Sequence, residues 1–348
     1  MVEIKHLTKY YGQKAAVKDI SFTIGDNEIL GFLGPNGAGK STTLNIMCGV
    51  IPSTSGTVTI NGYNIETDPV KAKRCIGFLP EIPPVYTDMK VGEYLMFVAG
   101  LRGVPASQRR SHVERVMRRL NIEDVSKRLI GNLSKGYRQR VGFAQALIGD
   151  PKVIVLDEPT VGLDPSQLIE VRNIIIDLKR DHSVILSSHI LSEISAVCDR
   201  VVIISHGEIQ AIDTIANLES SAGANTVLKL KVQGSSREVA RTAKNVEGVL
   251  NVSNITFVKT GIYTYDVELA SPDVRNSLLS ALLINKLNVI EVAEERKSLE
   301  QIFIKLVNQP AGKRKSLKDL LDEMTDESEE ISENETEENT PTDENGEV

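Results

Sequence analysis

Eight consecutive residues, Gly34-Pro35-Asn36-Gly37-Ala38-Gly39-Lys40-Ser41, have the types and spacing to hold a chain of phosphates. They fit the pattern GxxxxGK[ST]. The glycines let the backbone curl until several N–H groups point at one place, and the helix that follows adds the positive end of its dipole. Lys40 has the reach for β- and γ-phosphates, the Ser41 hydroxyl suits Mg²⁺, and Thr42 is counted with the phosphate-binding residues. A second constellation is Val153-Ile154-Val155-Leu156-Asp157-Glu158. Here an apolar strand delivers two carboxylates to its C-terminal end, where ligands bind in open α/β sheets. Asp157 would hold Mg²⁺ directly or through water, and Glu158 would polarise an attacking water as general base. A buried strand capped by acids is common by itself. Its weight here comes from its pairing with the phosphate loop.

The elements that must position these residues follow from the pattern along the chain. Val2 and Ile4, then Val17, Ile20, Phe22 and Ile24, flank Tyr11-Gly12-Gln13 and predict an antiparallel hairpin. Glu28 to Leu33 predicts a strand running straight into Gly34, with a helix from about Lys40. Thr57 to Ile60 and Cys75 to Leu79 predict two more strands. From about Val91 to Gly149 the period is helical, with Val113, Val116, Met117 and Leu120 on one face and arginines between them. After Asp150-Pro151, strands at 153–156, 184–186 and 201–204 alternate with helices near 166–179 and 191–198, which implies a mainly parallel sheet with the helical stretch as a lobe. From residue 216 the order becomes βαββαβ, with Ser271 as N-cap of a helix at 272–283. That order predicts a small ferredoxin-like sandwich. A last helix is expected from Ser298, with Gln301 completing a capping box.

Composition narrows the class. The chain has 348 residues, 41% hydrophobic and 25% charged, with net charge −7, which suits a globular protein of about two domains and excludes a collagen-like, fully disordered or disulfide-built one. Residues 311–348 carry four basic and fourteen acidic residues, a local balance of −10, so the rest of the chain sums to +3. That tail has too few apolar residues to offset its ordering entropy and is expected to be disordered. Cys48, Cys75 and Cys198 form no CxxC pair and read as buried, reduced thiols of a cytosolic protein. No signal-peptide layout and no run of 18 apolar residues is seen, so the chain is expected not to span a membrane.

The segment Leu133-Ser134-Lys135-Gly136-Tyr137-Arg138-Gln139-Arg140 resembles the signature motif of the ATP-binding subunits of ABC transporters. Ser134 lies 94 residues after Lys40 and 23 before Asp157, a spacing typical of that family. Tyr11 matches the family's adenine-stacking aromatic, Gly162-Leu163-Asp164 the loop after the catalytic glutamate, and Ser188-His189 the switch histidine. The resemblance covers about residues 1–215. It implies an α/β fold: an ABC-type P-loop ATPase domain with a mainly parallel sheet, an antiparallel β subdomain and a helical subdomain at about 82–150. The ferredoxin-like α+β domain (216–309) and the acidic tail (310–348) follow.

The resemblance also implies roles. Ser134 and Gly136, opening a helix, would form a second anion site that closes over ATP bound by an opposite subunit, so the chain should pair with itself or a relative. His189 would contact the γ-phosphate and hold Glu158 and water in line; His6, His112, His182 and His206 read as structural. The family usually has Gln where this chain has Glu81; a carboxylate still suits Mg²⁺ but adds charge beside a triphosphate. Lys135 and Tyr137 replace a usual Gly and Gln, which alters the rim of the site.

The run 76–103 is similar to subunits serving ABC-2 type exporters and, among these, to the subunit associated with gliding motility. The function implied is hydrolysis of ATP, with Mg²⁺, to drive a separate transmembrane permease. The chain would be cytoplasmic and peripheral on the inner face of the membrane. Two alternatives remain. A soluble ATPase acting on nucleic acid or ribosomes would use arginines 109–119, which read better as the solvated face of an amphipathic helix, so no nucleic acid is expected. The C-terminal sandwich could instead be a regulatory ligand-binding or dimerising module.

Overall fold

The computed structural model describes residues 1–222, 226–259, 261–271, 273–296 and 303. Within them the chain divides into two compact units, Met1–Ile215 and the residues from Ala216 on.

The first unit opens with β1 (Val2–Tyr11), β2 (Lys14–Ile24) and β3 (Ile29–Leu33), then α1 (Lys40–Met47). β4 (Ser55–Ile60), β5 (Tyr63–Asn64), α2 (Pro69–Arg74) and β6 (Ile76–Leu79) lead to the helical lobe of α3 (Val91–Leu101), α4 (Ala106–Arg119) and α5 (Lys135–Leu147). β7 (Val153–Asp157), α6 (Pro165–Leu178), β8 (Ser183–Ser188), α7 (Leu191–Ser195), β9 (Arg200–Ser205) and β10 (Glu208–Thr214) follow, and α8 (Ile215–Ala222) starts at the boundary and belongs to the second unit from Ala216 on. Two sheets result, one in the order β2-β1-β4-β5 and one in the order β10-β9-β3-β8-β7-β6. The second is parallel from β9 to β6, with β10 as an antiparallel edge. Every residue of β3, β7 and β8 is buried, as continuous apolar runs in a doubly covered parallel sheet require. One hydrophobic core joins the two sheets: Ile4, Ile20 and Phe22 from the first share it with Phe32, Val155 and Val202 from the second.

The expected hairpin, strands and helices are present, and three details differ. The lobe is not continuously helical: 120–134 holds only a 3₁₀ turn at Ile130–Asn132. β10 has no counterpart in the sequence reading; its polar-apolar alternation is weak, and the turn before it is set by His206 (φ 51°) and Gly207 (φ 79°) in the left-handed region that tight hairpins use. Cys48 is buried as expected, while Cys75 and Cys198 are half-buried.

The second unit contains β11 (Thr226–Gln233), α9 (Ser236–Lys244), β12 (Val249–Lys259), β13 (Ile262–Leu269), α10 (Val274–Ile284) and β14 (Asn288–Arg296). Its antiparallel sheet has the order β12-β13-β11-β14. Leu228, Leu230, Tyr265 and Val267 pack against Val239, Leu278 and Leu282 of the helices. The helix expected from residue 272 with Ser271 as cap instead starts at Val274 with Asp273 as its cap. The expected helix from Ser298 and the acidic tail lie outside the described residues, save for residue 303.

Candidate nucleotide site

β3 ends between β8 and β9, so the chain leaving Leu33 must turn in little space. A Cβ on Gly34 would overlap the Ile204 carbonyl oxygen. One on Gly39, at φ 108°, would lie 2.6 Å from the Ala16 carbonyl oxygen. Both positions need glycine for the loop to close. Gly39 also caps α1 without any side chain bonding to the helix's first N–H groups. A helix start left open in this way accepts anions. The buried Lys40 ammonium donates to the carbonyls of Gly34 (2.8 Å) and Pro35 (3.3 Å) and stands 3.3 Å from Glu158 Oε1. Arriving phosphate oxygens would compete with these for its three protons.

The carboxylates are set by strand neighbours. Asp157, the last residue of β7, lies beside Ser187 of β8. Ser187 Oγ donates to Asp157 Oδ1 (2.6 Å) and accepts from the Glu158 N–H (2.9 Å). Ser41 Oγ donates to the same Asp157 oxygen at 3.1 Å. Glu158 itself has φ 47°, a left-handed conformation unusual for a glutamate and found most often where a site demands it. Its Oε2 is 3.0 Å from His189 Nδ1, the two forming an ion pair when the ring is protonated.

These groups face a cavity of about 700 Å³. Tyr11 and Lys14, the loop residues Asn36, Gly37 and Gly39 to Thr42, and Glu81, Glu158 and His189 line it. Tyr11 is half exposed, with the Lys9 ammonium 5.3 Å from its ring centre. Gly34, Ala38 and Asp157 are buried next to the cavity. His206, read from sequence as structural, lines the same cavity, because the β9–β10 turn brings it against the β1–β2 hairpin. His6 is exposed and pairs with Asp19. His112 and His182 are buried.

Three predicted residues lie elsewhere. Ser134, Gly136 and Asp164 do not line the cavity. Ser134 caps α5, its Oγ accepting from the Tyr137 N–H at 3.3 Å. Gly136 abuts Gln167, whose side-chain carbon would be 2.7 Å from an added Cβ. Asp164 caps α6, accepting from Ser166 Oγ (2.7 Å) and the Gln167 N–H (2.9 Å); these bonds hold its carboxyl below the usual range. The chain thus carries two helix-end clusters, and only one belongs to the cavity. Sequence reasoning missed Ser187, whose signal was a serine pair ending an otherwise apolar strand, and Gln139, whose amide donates to the Pro159 carbonyl at 2.9 Å.

The donor set fits a hard cation. Ser41 Oγ, Asp157 and Glu81 offer oxygen only, as Mg²⁺ prefers. Among the described residues no group of three or more His, Cys, Asp or Glu could form a metal cage.

A second cavity, of about 550 Å³, opens between β6 and the helical lobe. Phe78, Pro84, Tyr86, Tyr94, Phe97 and Leu101 line it. Tyr86 packs on Tyr94 and Phe97 at 5.9 and 6.0 Å between ring centres. Burial pushes the Tyr94 hydroxyl up to about 12. No helix of the described residues is long and apolar enough to cross a membrane.

The family model described as ABC transporter matches residues 17–161. The linearmycin resistance ATP-binding protein LnrL of Bacillus subtilis (strain 168) is 32% identical over 308 residues, 88% of this chain and 98% of that protein. The bacitracin transport ATP-binding protein BcrA of Bacillus licheniformis is 30% identical over 309 residues, 88% and 97% of the two chains. A solved structure of the ATP-binding subunit of an ABC transporter superposes with TM-score 0.59 at 28% identity, covering 64% of this chain and 93% of that one. The chain therefore belongs to the ABC transporter ATP-binding proteins and is an ATP hydrolase of that family.

Proposed function

We propose that this chain powers a separate membrane permease of the ABC-2 export type, working as a dimer with itself or a related subunit. The observation that carries the reading is the separation of its two anion-facing helix ends: Lys40 and Glu158 face the cavity, whereas Ser134 and Gly136 do not. A second copy placing its Ser134 over the first copy's cavity completes each site, and ATP becomes the joint. The closure it drives shifts the permease between states in proportion to its differential binding.

In this reading Tyr11 stacks on adenine, the loop 34–42 holds the phosphates, and Asp164 lies at the subunit joint. A water attacks the γ-phosphorus and passes its proton to Glu158, while the bond to the ADP oxygen breaks and phosphate leaves. His189 Nδ1, 3.0 Å from Glu158 Oε2, keeps that carboxylate aimed. Ser41, Asp157 and Glu81 are the residues that would hold Mg²⁺, which when bound neutralises charge building on the phosphates.

The aromatic cavity beside Phe97 supports a permease contact, since half-exposed aromatic rings around an apolar groove suit an amphipathic helix. The relatives' names support export of antibiotic-like compounds. The gliding-motility association is a narrower form of this reading and rests on the run 76–103 alone. The chain would then be held at the inner face of the membrane through its permease. The domain limits 1–215, 216–309 and 310–348 are part of this reading, and the βαββαβ order and antiparallel sheet of the second unit support a ferredoxin-like domain. No observation favours nucleic acid: the lobe's arginines are engaged, Arg110 with Glu114, Arg115 with Asp150, Arg118 with Glu123 and Arg119 with Asp177. The test is membrane association. Tagged wild-type chain should sediment with membranes of its own cell, and Phe97→Glu should release it while ATP binding is kept. A chain that never associates with membranes contradicts the reading.

A further inference from the structure

Glu193 is a buried carboxylate that the hydrolytic roles above do not use. No Lys or Arg forms a salt bridge with it among the described residues. Its Oε2 accepts two hydroxyl protons instead, from Thr160 Oγ1 at 2.6 Å and from Ser188 Oγ at 2.9 Å. The Ser188 hydroxyl oxygen in turn accepts from the Ile190 N–H at 3.0 Å. These partners sit at telling places. Thr160 follows Glu158 by two residues, and Ser188 and Ile190 are the neighbours of His189 on either side. One oxygen atom therefore ties the segment carrying Glu158 to the segment carrying His189.

We infer that Glu193 is a positioning residue for hydrolysis: it fixes the His189 segment against the Glu158 segment, so that Nδ1 and Oε2 meet at 3.0 Å. Three features carry this. Both bonds are buried, at 2.6 and 2.9 Å, where the low dielectric strengthens hydrogen bonds. Glu158 sits at φ 47°, a conformation that surrounding contacts must hold in place. The same loop is gripped from its other side, where Gln139 Nε2 donates to the Pro159 carbonyl at 2.9 Å. Gln139 belongs to α5, the helix that Ser134 caps. The loop 158–160 is thus tied both to the helix of the second anion-facing cluster and, through Glu193, to His189.

Hydrolysis depends on such alignment far more than binding does, because the phosphate loop holds nucleotide without help from this tether. A misplacement of about 1 Å at reacting groups can cost about a hundredfold in rate. The inference rests on the reading that Glu158 and His189 act on the attacking water, and the experiment separates the two. Steady-state ATPase kinetics and equilibrium ATP binding are measured for Glu193→Ala, Glu193→Gln, Thr160→Val and Glu158→Gln in the full-length chain. Glu193→Ala should lower kcat by about tenfold to a hundredfold with KM and ATP affinity within about twofold of wild type. Glu193→Gln keeps a carbonyl oxygen for the two hydroxyls and should restore kcat to within about threefold. Thr160→Val keeps the shape, removes one of the two bonds and should lower kcat by about fivefold, which also carries the test if Glu193→Ala fails to fold. If Glu158→Gln stops turnover while Glu193→Ala and Thr160→Val run at wild-type kcat, the tether is refuted. If their loss appears in KM and affinity, or Gln restores nothing, the role is structural and the inference is equally refuted. If Glu158→Gln keeps wild-type turnover, the underlying reading fails and the inference with it.

Discussion

Two helix starts in this chain, at α1 and α5, are finished differently. At α1 the cap is Gly39, no side chain bonds to the first N–H groups, and Lys40 and Ser41 stand in the first turn. At α5 the cap is Ser134, whose oxygen already accepts from the Tyr137 N–H. The first site brings its own cation, its own carboxylates and its own cavity. The second offers the Ser134 hydroxyl and a helix end whose first residue is Lys135, and it does not line that cavity. In the proposed dimer this difference divides the work: the first site holds nucleotide and the second completes the site of another chain.

The comparison is broken most easily at the first site. Lys40→Ala removes the only side-chain charge in the phosphate loop, and ATP affinity should fall by at least about a hundredfold, measured by equilibrium titration. Ser134→Ala acts on the second. It should leave ATP affinity of the isolated chain unchanged and lower turnover at saturating ATP by about tenfold or more, because its hydroxyl would act only across the joint. It should also cost about 1 kcal/mol of stability as a lost cap. Equal loss of affinity in both variants would mean that the two helix ends share one pocket within a chain.

A smaller effect concerns the turn joining the two sites. Asp150-Pro151 links α5 to β7, and buried histidines contact it on both sides. His112 Nε2 accepts from the Gly149 N–H, and His182 Nδ1 donates to the Pro151 carbonyl. Burial lowers both pKa values from 6.5, more than the nearby Asp150 raises them. The unfolded chain therefore takes up protons below about pH 6.5 that the folded chain refuses. Stability should fall as pH drops from about 6.5, with a ceiling near 1.4 kcal/mol per pH unit for each group, reduced by solvent screening. Urea midpoints from pH 7.5 to 5.5 check this, and His112→Asn should flatten the slope.

The legibility of the molecule follows the same divide. The strand–loop–helix shape around residues 34–41 was readable because its signal is local and carried by eight adjacent residues. The βαββαβ order was readable because period and turn residues mark it. Ser187 and Glu193 were not readable in these terms. Ser187 acts through β7, thirty residues before it, and Glu193 looks like any acid on a short helix until the fold buries it. His206 reads from sequence as structural, and its place in the cavity lining depends on how β10 folds back onto β9 beside the hairpin of β1 and β2. The residues of the loop 34–41 stand together in sequence, whereas Ser187 and Glu193 meet their partners only through the fold.

The most direct measurement is ATP turnover and ATP retention by Glu158→Gln. The side chain keeps its size and its contact with His189 but loses its capacity to take a proton from water. Turnover should fall by a factor of about 10² to 10⁴ while ATP binding stays at wild-type strength, and ATP should hold two chains together in sizing experiments. Hydrolysis at the wild-type rate by this variant would contradict the assignment of Glu158, and with it the account of how this cavity uses ATP.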